Sequence, residues 1–139
     1  MVGKAGFLAG LADGVGICWG LGMEIRKRDE QVPFVTKDGS VIRSLLDRAN
    51  APVSNQSLAE ATVLAGAVTE RHYHGVSEEF YYVLEGVGVM EVDGEERVVG
   101  PGDAVLIPAG AWHHIRAEVE LRFLCCCAPP YAHDDTFFE

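Results

Sequence analysis

The sequence predicts an all-β fold, and three observations support this prediction. Short runs rich in β-branched and aromatic residues recur at regular spacing, and turn residues separate them. Asp93-Gly94 stands between two such runs, as in a tight β-hairpin. Glycine is abundant, with 16 residues spread along the 139-residue chain, and no long amphipathic helical pattern is present. We therefore expect a β-sandwich or a β-barrel.

The expected strands run from residue 41 to residue 128. The first of them also fits helical spacing, and we favour a strand because the runs that follow are clearly β. Phe80–Leu84 is the strongest candidate because of its aromatic and β-branched content. Pro129-Pro130 ends the sheet region, and an acidic tail follows. The expected strands are residues 41–47, 58–64, 80–84, 87–92, 95–99, 104–107, 112–117 and 121–128.

Composition excludes several classes of protein. Hydrophobic residues make up 48% of the chain, which excludes a wholly disordered protein. The formal net charge is −10 and the sequence has no basic cluster, so neither a nucleic acid nor an anionic membrane surface is an expected partner. The sequence also has no uncharged apolar stretch of about 18 residues, the length that a membrane-spanning helix needs.

The length is that of one domain. Residues 1–22 are apolar and rich in glycine, and the composition changes abruptly at Met23, which resembles a natural protein start. We expect residues 1–22 to be a poorly ordered N-terminal extension or the result of a misplaced start site. A signal peptide is the less favoured alternative because the apolar core is short and no clean cleavage site follows. The single folded domain is expected over residues 23–139.

The four cysteines are Cys18 and the consecutive residues Cys125–Cys127. This spacing fits neither a disulfide framework nor a zinc knuckle, and adjacent cysteines rarely bridge each other. We expect a reduced, cytoplasmic protein that uses these cysteines as small core residues. A redox-sensing thiol is the alternative.

Four of the five histidines lie in two short segments. His72 and His74 are two residues apart, so on a strand they project from the same face and can bind one divalent ion. Glu78 and Glu79 follow after a turn, and a carboxylate there can reach the same ion. The second segment, residues 111–114, supplies an imidazole from a distant strand. Each pattern alone is a weak signal, but their combination on an all-β scaffold predicts a metal site.

The two segments resemble the two motifs of the cupin family. The first motif is a glycine, five residues, H-x-H, a glutamate three or four residues later, and a second glycine. The second motif is a glycine, five residues, P-x-G, a histidine two residues later, and an asparagine. Nine of the ten fixed positions match, and Ala117 stands where the asparagine is expected. The matching residues are Gly66, His72, His74, Glu79, Gly86, Gly102, Pro108, Gly110 and His113.

The resemblance implies a jelly-roll β-barrel with one divalent metal ion inside. Carried over residue by residue, it implies four ligands, with Glu79 preferred to Glu78 by its spacing to Gly86, and His113 preferred to His114. The metal ligands are then His72, His74, Glu79 and His113. Fe or Mn is favoured as the ion, and Ni, Co and Zn are possible, because imidazole and carboxylate donors suit all of them.

Strand alternation extends the prediction to the pocket wall. If Glu79 points inward, Tyr81 and Val83 also do so. Tyr81 is then a candidate catalytic residue that orients a substrate or donates a proton. The alternative is a packing role in which its hydroxyl is simply hydrogen-bonded.

The remaining candidates for the pocket stay open. On the last expected strand, either Phe123 and Cys125 or Arg122 and Leu124 face inward. Arg43 is a further candidate if its strand lines the pocket mouth. Because no cluster of basic residues is expected inside, a small neutral or carboxylate-bearing substrate is favoured over a sugar phosphate.

Three functions are consistent with such a site. The first is a metal-dependent enzyme acting on a small organic molecule, with a dioxygenase-type reaction favoured. The second is a metal-dependent isomerase or lyase, and the third is a non-enzymatic cupin that binds a small ligand. We expect a homodimer, because small cupins commonly pair through sheet edges and an exposed edge strand needs to be covered.

Overall fold

The computed structural model describes residues 22–139, which form two antiparallel β-sheets. Arg28–Glu30 and His133–Asp135 are single 3-10 turns. The strands are β1 (Phe34–Val35), β2 (Val41–Leu46), β3 (Ser57–Val63), β4 (His72–His74), β5 (Glu78–Glu85), β6 (Gly88–Val92), β7 (Glu95–Val99), β8 (Ala104–Ile107), β9 (His113–Ala117), β10 (Leu121–Ala128) and β11 (Thr136–Phe138).

The chain passes repeatedly between the two sheets. The first sheet has the strand order β1-β2-β3-β10-β5-β8, and the second has the order β11-β4-β9-β6-β7. Consecutive strands such as β4 and β5 therefore lie in different sheets, with their inner faces toward a common interior. This arrangement is a jelly-roll barrel, so the all-β prediction is confirmed.

The core lies between the inner faces of the two sheets. Strand β5 shows the alternation that this requires, because Tyr81 and Val83 are buried whereas Phe80 and Tyr82 are exposed. Burial of each large apolar side chain contributes about 1.5–3 kcal/mol. The apolar layer thus fixes how these strands pack. It also fixes the positions of the polar residues at the starts of the strands. Among the large apolar side chains that are fully buried are Phe123, Ile107, Ile115, Leu121 and Val83.

The expected hairpin joins β6 to β7. Val92 pairs with Glu95 across the turn, and the two turn residues, Asp93 and Gly94, have φ angles of 48° and 88°. Two consecutive positive φ angles are what a type I′ turn requires. The structure therefore confirms the hairpin at these residues.

Gly86 ends β5 where two backbone segments approach closely. Its φ angle is +87°, and a Cβ at this position would lie 2.1 Å from the carbonyl oxygen of Glu120. Only glycine tolerates both the conformation and the contact. This glycine of the first motif therefore has a packing role, since it lets the chain leave β5 directly against the segment that enters β10.

Two strands lie outside both the expected strands and the two histidine segments. Strand β1 has two residues and pairs with β2, and β11 has three residues and pairs with β4, where Thr136 lies opposite His74. Strands this short show no periodic pattern. The pairing of β11 is also remote, because Thr136 and His74 are 62 residues apart along the chain.

The N-terminal extension expected over residues 1–22 lies outside the described residues except for residue 22. Cys18, which was expected to be a core residue, also lies outside them. Both expectations stay predictions. Between residues 22 and 139, no helix has the length and apolar character needed to cross a membrane.

Candidate metal centre

Three strands bring four polar side chains together inside the barrel. His72 and His74 come from β4, Glu79 from the start of β5, and His113 from the start of β9. All four side chains are buried, and one ligand atom from each lies within 4.8 Å of the others. The alternation that places both histidines of β4 on one face also places Glu79 opposite them, since it is the inward residue next to the exposed Glu78.

Glu79 is at the centre of the cluster. Its Oε2 atom lies 3.0 Å from Nε2 of His74 and 3.3 Å from Nε2 of His113. The rings of His72 and His113 are 4.2 Å apart between centroids. Nε2 of His113 is buried and has no hydrogen-bond partner. Among the buried side-chain nitrogen and oxygen atoms of residues 22–139, it is the one atom of this kind. Such an atom is costly to bury unless it has a partner such as a metal ion.

Two of the imidazoles are oriented by backbone carbonyl groups. Nδ1 of His72 lies 2.8 Å from the carbonyl oxygen of Glu70, and Nδ1 of His113 lies 3.0 Å from that of Ala111. A carbonyl oxygen only accepts hydrogen bonds, so each Nδ1 carries the hydrogen and each Nε2 keeps its lone pair. This is the arrangement in which histidine binds metals through Nε2.

The pKa shifts of Glu79 and His72 favour the protonation states of a metal site, whereas that of His74 favours its charged form while no cation is bound. Burial opposes the charge of Glu79, but the close approach of the imidazoles of His113 and His74 outweighs it and holds the pKa of this carboxyl at about 2. Burial lowers the pKa of His72, and the nearby His113 lowers it further. In His74, the hydrogen bond to Glu79 outweighs burial and raises the pKa. A charged carboxylate beside imidazoles is a donor set that accepts a divalent cation.

The structure decides between the neighbouring candidates. Glu78 is exposed, whereas Glu79 faces the interior. His114 points to the outer face of its sheet, where Nδ1 lies 3.4 Å from a carboxylate oxygen of Glu91, while His113 is fully buried. The preference for Glu79 and His113 therefore agrees with the geometry.

The last long strand presents alternate residues to the interior. Phe123, Cys125 and Cys127 line the cavity beside the cluster, and Arg122 points outward to Glu85. Cys127 donates a hydrogen bond of 3.5 Å from Sγ to Oε1 of Glu79. The sequence left open which residues of this strand face inward, and the structure shows that they are Phe123 and Cys125, not Arg122 and Leu124.

Arg43 and His133 lie elsewhere. Nη1 of Arg43 donates a hydrogen bond of 2.6 Å to the carbonyl oxygen of Gln31, and neighbouring residues of β2 face the cavity instead. His133 lies in the second 3-10 turn and is not part of the cavity wall.

A cavity of about 90 Å³ opens onto the cluster. This is less than the ~150 Å³ that encloses a benzene molecule, so it admits a small molecule or one end of a larger one. Among the residues of the described chain that line this cavity, Lys37 is the one lysine or arginine, and Asp38 and Asp47 lie in the same wall. Sequence reasoning missed several wall residues on or beside β1 and β11. The only sequence feature that could have indicated them is a short run of aromatic and β-branched residues. They are Phe34, Tyr131, Thr136 and Phe138.

Tyr81 lies between the cluster and the apolar core. Its ring centroid is 6.1 Å from that of His113 and 4.5 Å from that of Phe123, and the residue lines the cavity. Burial raises the pKa of the Tyr81 phenol well above its usual value, and the charge of Glu79 raises it further. The phenol therefore keeps its hydrogen and can donate a hydrogen bond.

The fold, the motifs and the cluster agree with a family comparison. The model of the cupin domain matches residues 59–127. The chain belongs to the cupin family.

The similar proteins include one uncharacterized protein and two enzymes with different names. An uncharacterized protein of Methanocaldococcus jannaschii, MJ1618, is 47% identical over 110 residues, which cover 78% of this chain and 88% of that protein. Quercetin 2,3-dioxygenase of Bacillus subtilis is 32% identical over 98 residues, covering 65% of this chain but 29% of the enzyme. The crystal structure of ectoine synthase from P. lautus superposes with a TM-score of 0.71 at 26% identity, covering 84% of this chain and 90% of that one.

Proposed function

We propose that the protein is a metal-dependent enzyme that acts on a small organic molecule at this cluster. In this proposal His72, His74, Glu79 and His113 hold one divalent transition metal ion, with Fe or Mn favoured and Ni, Co or Zn possible. The observation that carries the proposal is the buried Nε2 atom of His113, which has no hydrogen-bond partner and faces Glu79 inside a cluster of donors.

We further propose a dioxygenase-type reaction. A bound ion would supply a Lewis acid with open positions where O₂ and a substrate can meet. Tyr81 is proposed to orient the substrate or to donate a proton through its hydroxyl. The similarity to a quercetin dioxygenase supports this choice.

The cavity restricts the substrate. It is small, and Lys37 is the one lysine or arginine in its described wall, which also contains Asp38 and Asp47. A neutral molecule or a monocarboxylate fits this environment better than a phosphorylated sugar, which needs several cationic groups.

A non-redox isomerase or lyase is the second candidate. Its support is the similarity to ectoine synthase, which is named as a synthase and not as an oxygenase, together with the buried, protonated Tyr81. In this alternative, the bound ion would acidify a C–H bond beside a carbonyl group, and Tyr81 would serve as proton donor.

Oxygen consumption distinguishes the two reactions. The protein is loaded with Fe(II) or Mn(II) and incubated with a panel of small neutral molecules and carboxylates in an oxygen electrode. Substrate-dependent O₂ uptake that is lost in a Glu79→Gln variant is the result we expect. Turnover under argon with Zn(II) would instead favour the isomerase or lyase, and full metal occupancy without turnover would favour a binding protein.

We also propose a cytoplasmic homodimer. The free thiols of Cys125–Cys127 support a reducing compartment. Phe80, Tyr82 and Leu106 expose 45–55% of their surface on the outer face of the first sheet, and a partner copy would cover them. Sedimentation at micromolar concentration should show a dimer, and a monomer would contradict this proposal.

A further inference from the structure

His74 is oriented differently from the other two imidazoles. His72 and His113 each place Nδ1 against a backbone carbonyl group two residues earlier in the chain. Nδ1 of His74 instead lies 3.2 Å from Oγ1 of Thr136, a residue of the C-terminal strand β11. Thr136 lies outside residues 59–127, which the cupin domain model matches.

The hydrogen bonds of the Thr136 hydroxyl show which group donates in its contact with Nδ1 of His74. A threonine hydroxyl has one hydrogen to donate and two lone pairs to accept with. Oγ1 of Thr136 lies 3.1 Å from the carbonyl oxygen of Ala132, which can only accept. When Nε2 of His74 binds a cation, Nδ1 must carry the ring hydrogen and needs an acceptor. Oγ1 of Thr136 meets this need while its own hydrogen goes to Ala132.

Strand β11 is held in register beside the site by contacts on both faces. Thr136 lies opposite His74, and Phe138 lies opposite His72 with the two rings 5.6 Å apart. On the other face, Phe137 stacks on Tyr73 with ring centroids 5.0 Å apart. The position of the Thr136 hydroxyl is therefore set by the whole strand.

The carboxylate of Asp135 fixes the turn next to this strand. Its oxygens accept hydrogen bonds from the backbone N–H groups of Val76 and Ser77, at 3.0 and 3.1 Å. These residues connect His74 to Glu79, so the tail anchors the segment that joins two members of the cluster.

From this geometry we propose that Thr136 is a positioning residue of the metal site: its hydroxyl oxygen accepts the Nδ1 hydrogen of His74, so that Nε2, which faces Glu79, is the nitrogen that binds the ion. The inference rests on the proposed metal site and adds to it a residue from the C-terminal tail. Removal of the hydroxyl leaves the Nδ1–H of His74 without its acceptor. Loss of such a partner typically weakens metal binding 10–100-fold.

The test compares Thr136→Val with Thr136→Ser. Valine keeps the shape and suits a strand but removes the hydroxyl, whereas serine keeps it. Zn(II) affinity is measured by competition with a chelator, and the ring nitrogens of His74 are followed by long-range ¹H–¹⁵N NMR of the Zn(II)-loaded proteins. We expect a 10–100-fold loss of affinity and shifted His74 nitrogens in the valine variant, and parent-like values in the serine variant.

Glu139→Gln is the matched control for docking of the tail. Glu139 pairs with Nη1 of Arg71 at 2.9 Å and does not contact His74, so this variant should bind Zn(II) like the parent. Equal affinity of Thr136→Val and the parent would overturn the inference, and so would an equal loss in the serine variant or in Glu139→Gln. If the parent itself binds no divalent ion, the proposed function fails first, and the inference fails with it.

Discussion

Two buried carboxylates lie on opposite faces of the same sheet, and their partners differ. Glu60 on β3 faces outward and is 4% exposed, and Glu79 on β5 faces inward and is 5% exposed. Glu60 pairs with Nη2 of Arg28 at 2.8 Å and with Nη1 of Arg122 at 3.0 Å. Glu79 faces imidazoles and a thiol instead.

The comparison shows that burial of a carboxylate does not by itself define a site. Arginine is always charged, so two guanidinium groups fully compensate Glu60 and leave no role for a cation. An imidazole is largely neutral at neutral pH and offers a lone pair. The charge of Glu79 and the free nitrogens around it are therefore available to a metal ion, whereas Glu60 is a structural anchor.

Replacement of Glu79 should have the largest effect. In Glu79→Gln we expect metal affinity to fall by more than the roughly 10–100-fold typical of losing an outer-shell partner, because a charged ligand itself is removed. Isothermal titration of the metal-free protein with Mn(II) or Zn(II) measures this. Glu78→Gln, one residue away and exposed, is the matched control and should bind like the parent.

Replacement of Glu60 should lower the stability of the fold and leave metal binding unchanged. Glu60→Gln removes the charge that Arg28 and Arg122 share, and both arginines keep access to water. We expect a loss of about 1–2 kcal/mol in the free energy of unfolding, with unchanged metal content. Urea denaturation and elemental analysis of the same preparation give both values. A variant that loses its metal while staying folded would remove the distinction between the two carboxylates.

The contribution of Glu60 should also depend on pH. Burial opposes its charge, but hydrogen bonds from Arg28 and Arg122 outweigh burial and lower the pKa of Glu60 below its usual 4.5. A carboxyl whose pKa is lower in the folded state stabilises the fold above the unfolded pKa and loses this effect as the pH falls. The difference in unfolding free energy between the parent and Glu60→Gln should therefore be constant above about pH 5 and shrink below pH 4.5. Urea denaturation of the metal-free proteins at several pH values tests this, and a difference that grows on acidification would be the wrong sign.

The two faces of β10 should differ in thiol reactivity, which is the smallest effect. Cys125 and Cys127 face the cavity, and burial raises the pKa of both thiols. Cys126 faces the other way, and although burial also raises the pKa of its thiol, it does not line the cavity. In a Cys18→Ser background, Cys126 should react with Ellman's reagent faster than its neighbours, because the reagent reaches it from the outer face of the sheet. Loss of the fast phase in Cys126→Ser would confirm the assignment, and a fast phase that survives would contradict it.

Local sequence patterns predicted the parts of this molecule that depend on local geometry. The hairpin at Asp93-Gly94 follows from residues that adopt positive φ angles. Strand alternation placed Tyr81 on the same face as Glu79, and the structure confirms this burial pattern. Motif spacing selected Glu79 and His113 from adjacent pairs of candidates, because a shift of one residue on a strand moves a side chain to the opposite face.

The remaining features depend on contacts between distant segments. The inward face of β10 was undecided because the strand is apolar on both faces except at Arg122, so alternation alone does not choose between them. Thr136 was missed because its partner His74 is 62 residues away and nothing near it in the sequence indicates that pairing. Such contacts depend on how strands that are distant in the sequence pair in the folded barrel.

Elemental analysis of the purified protein beside the His72→Ala/His113→Ala double variant tests the central claim most directly. These residues come from two neighbouring strands and lie directly opposite each other, and their replacement leaves Glu79 in place. The parent should contain about one divalent transition metal ion per chain, and the folded variant should contain only background metal. A variant that holds as much metal as the parent would contradict the assignment of the site.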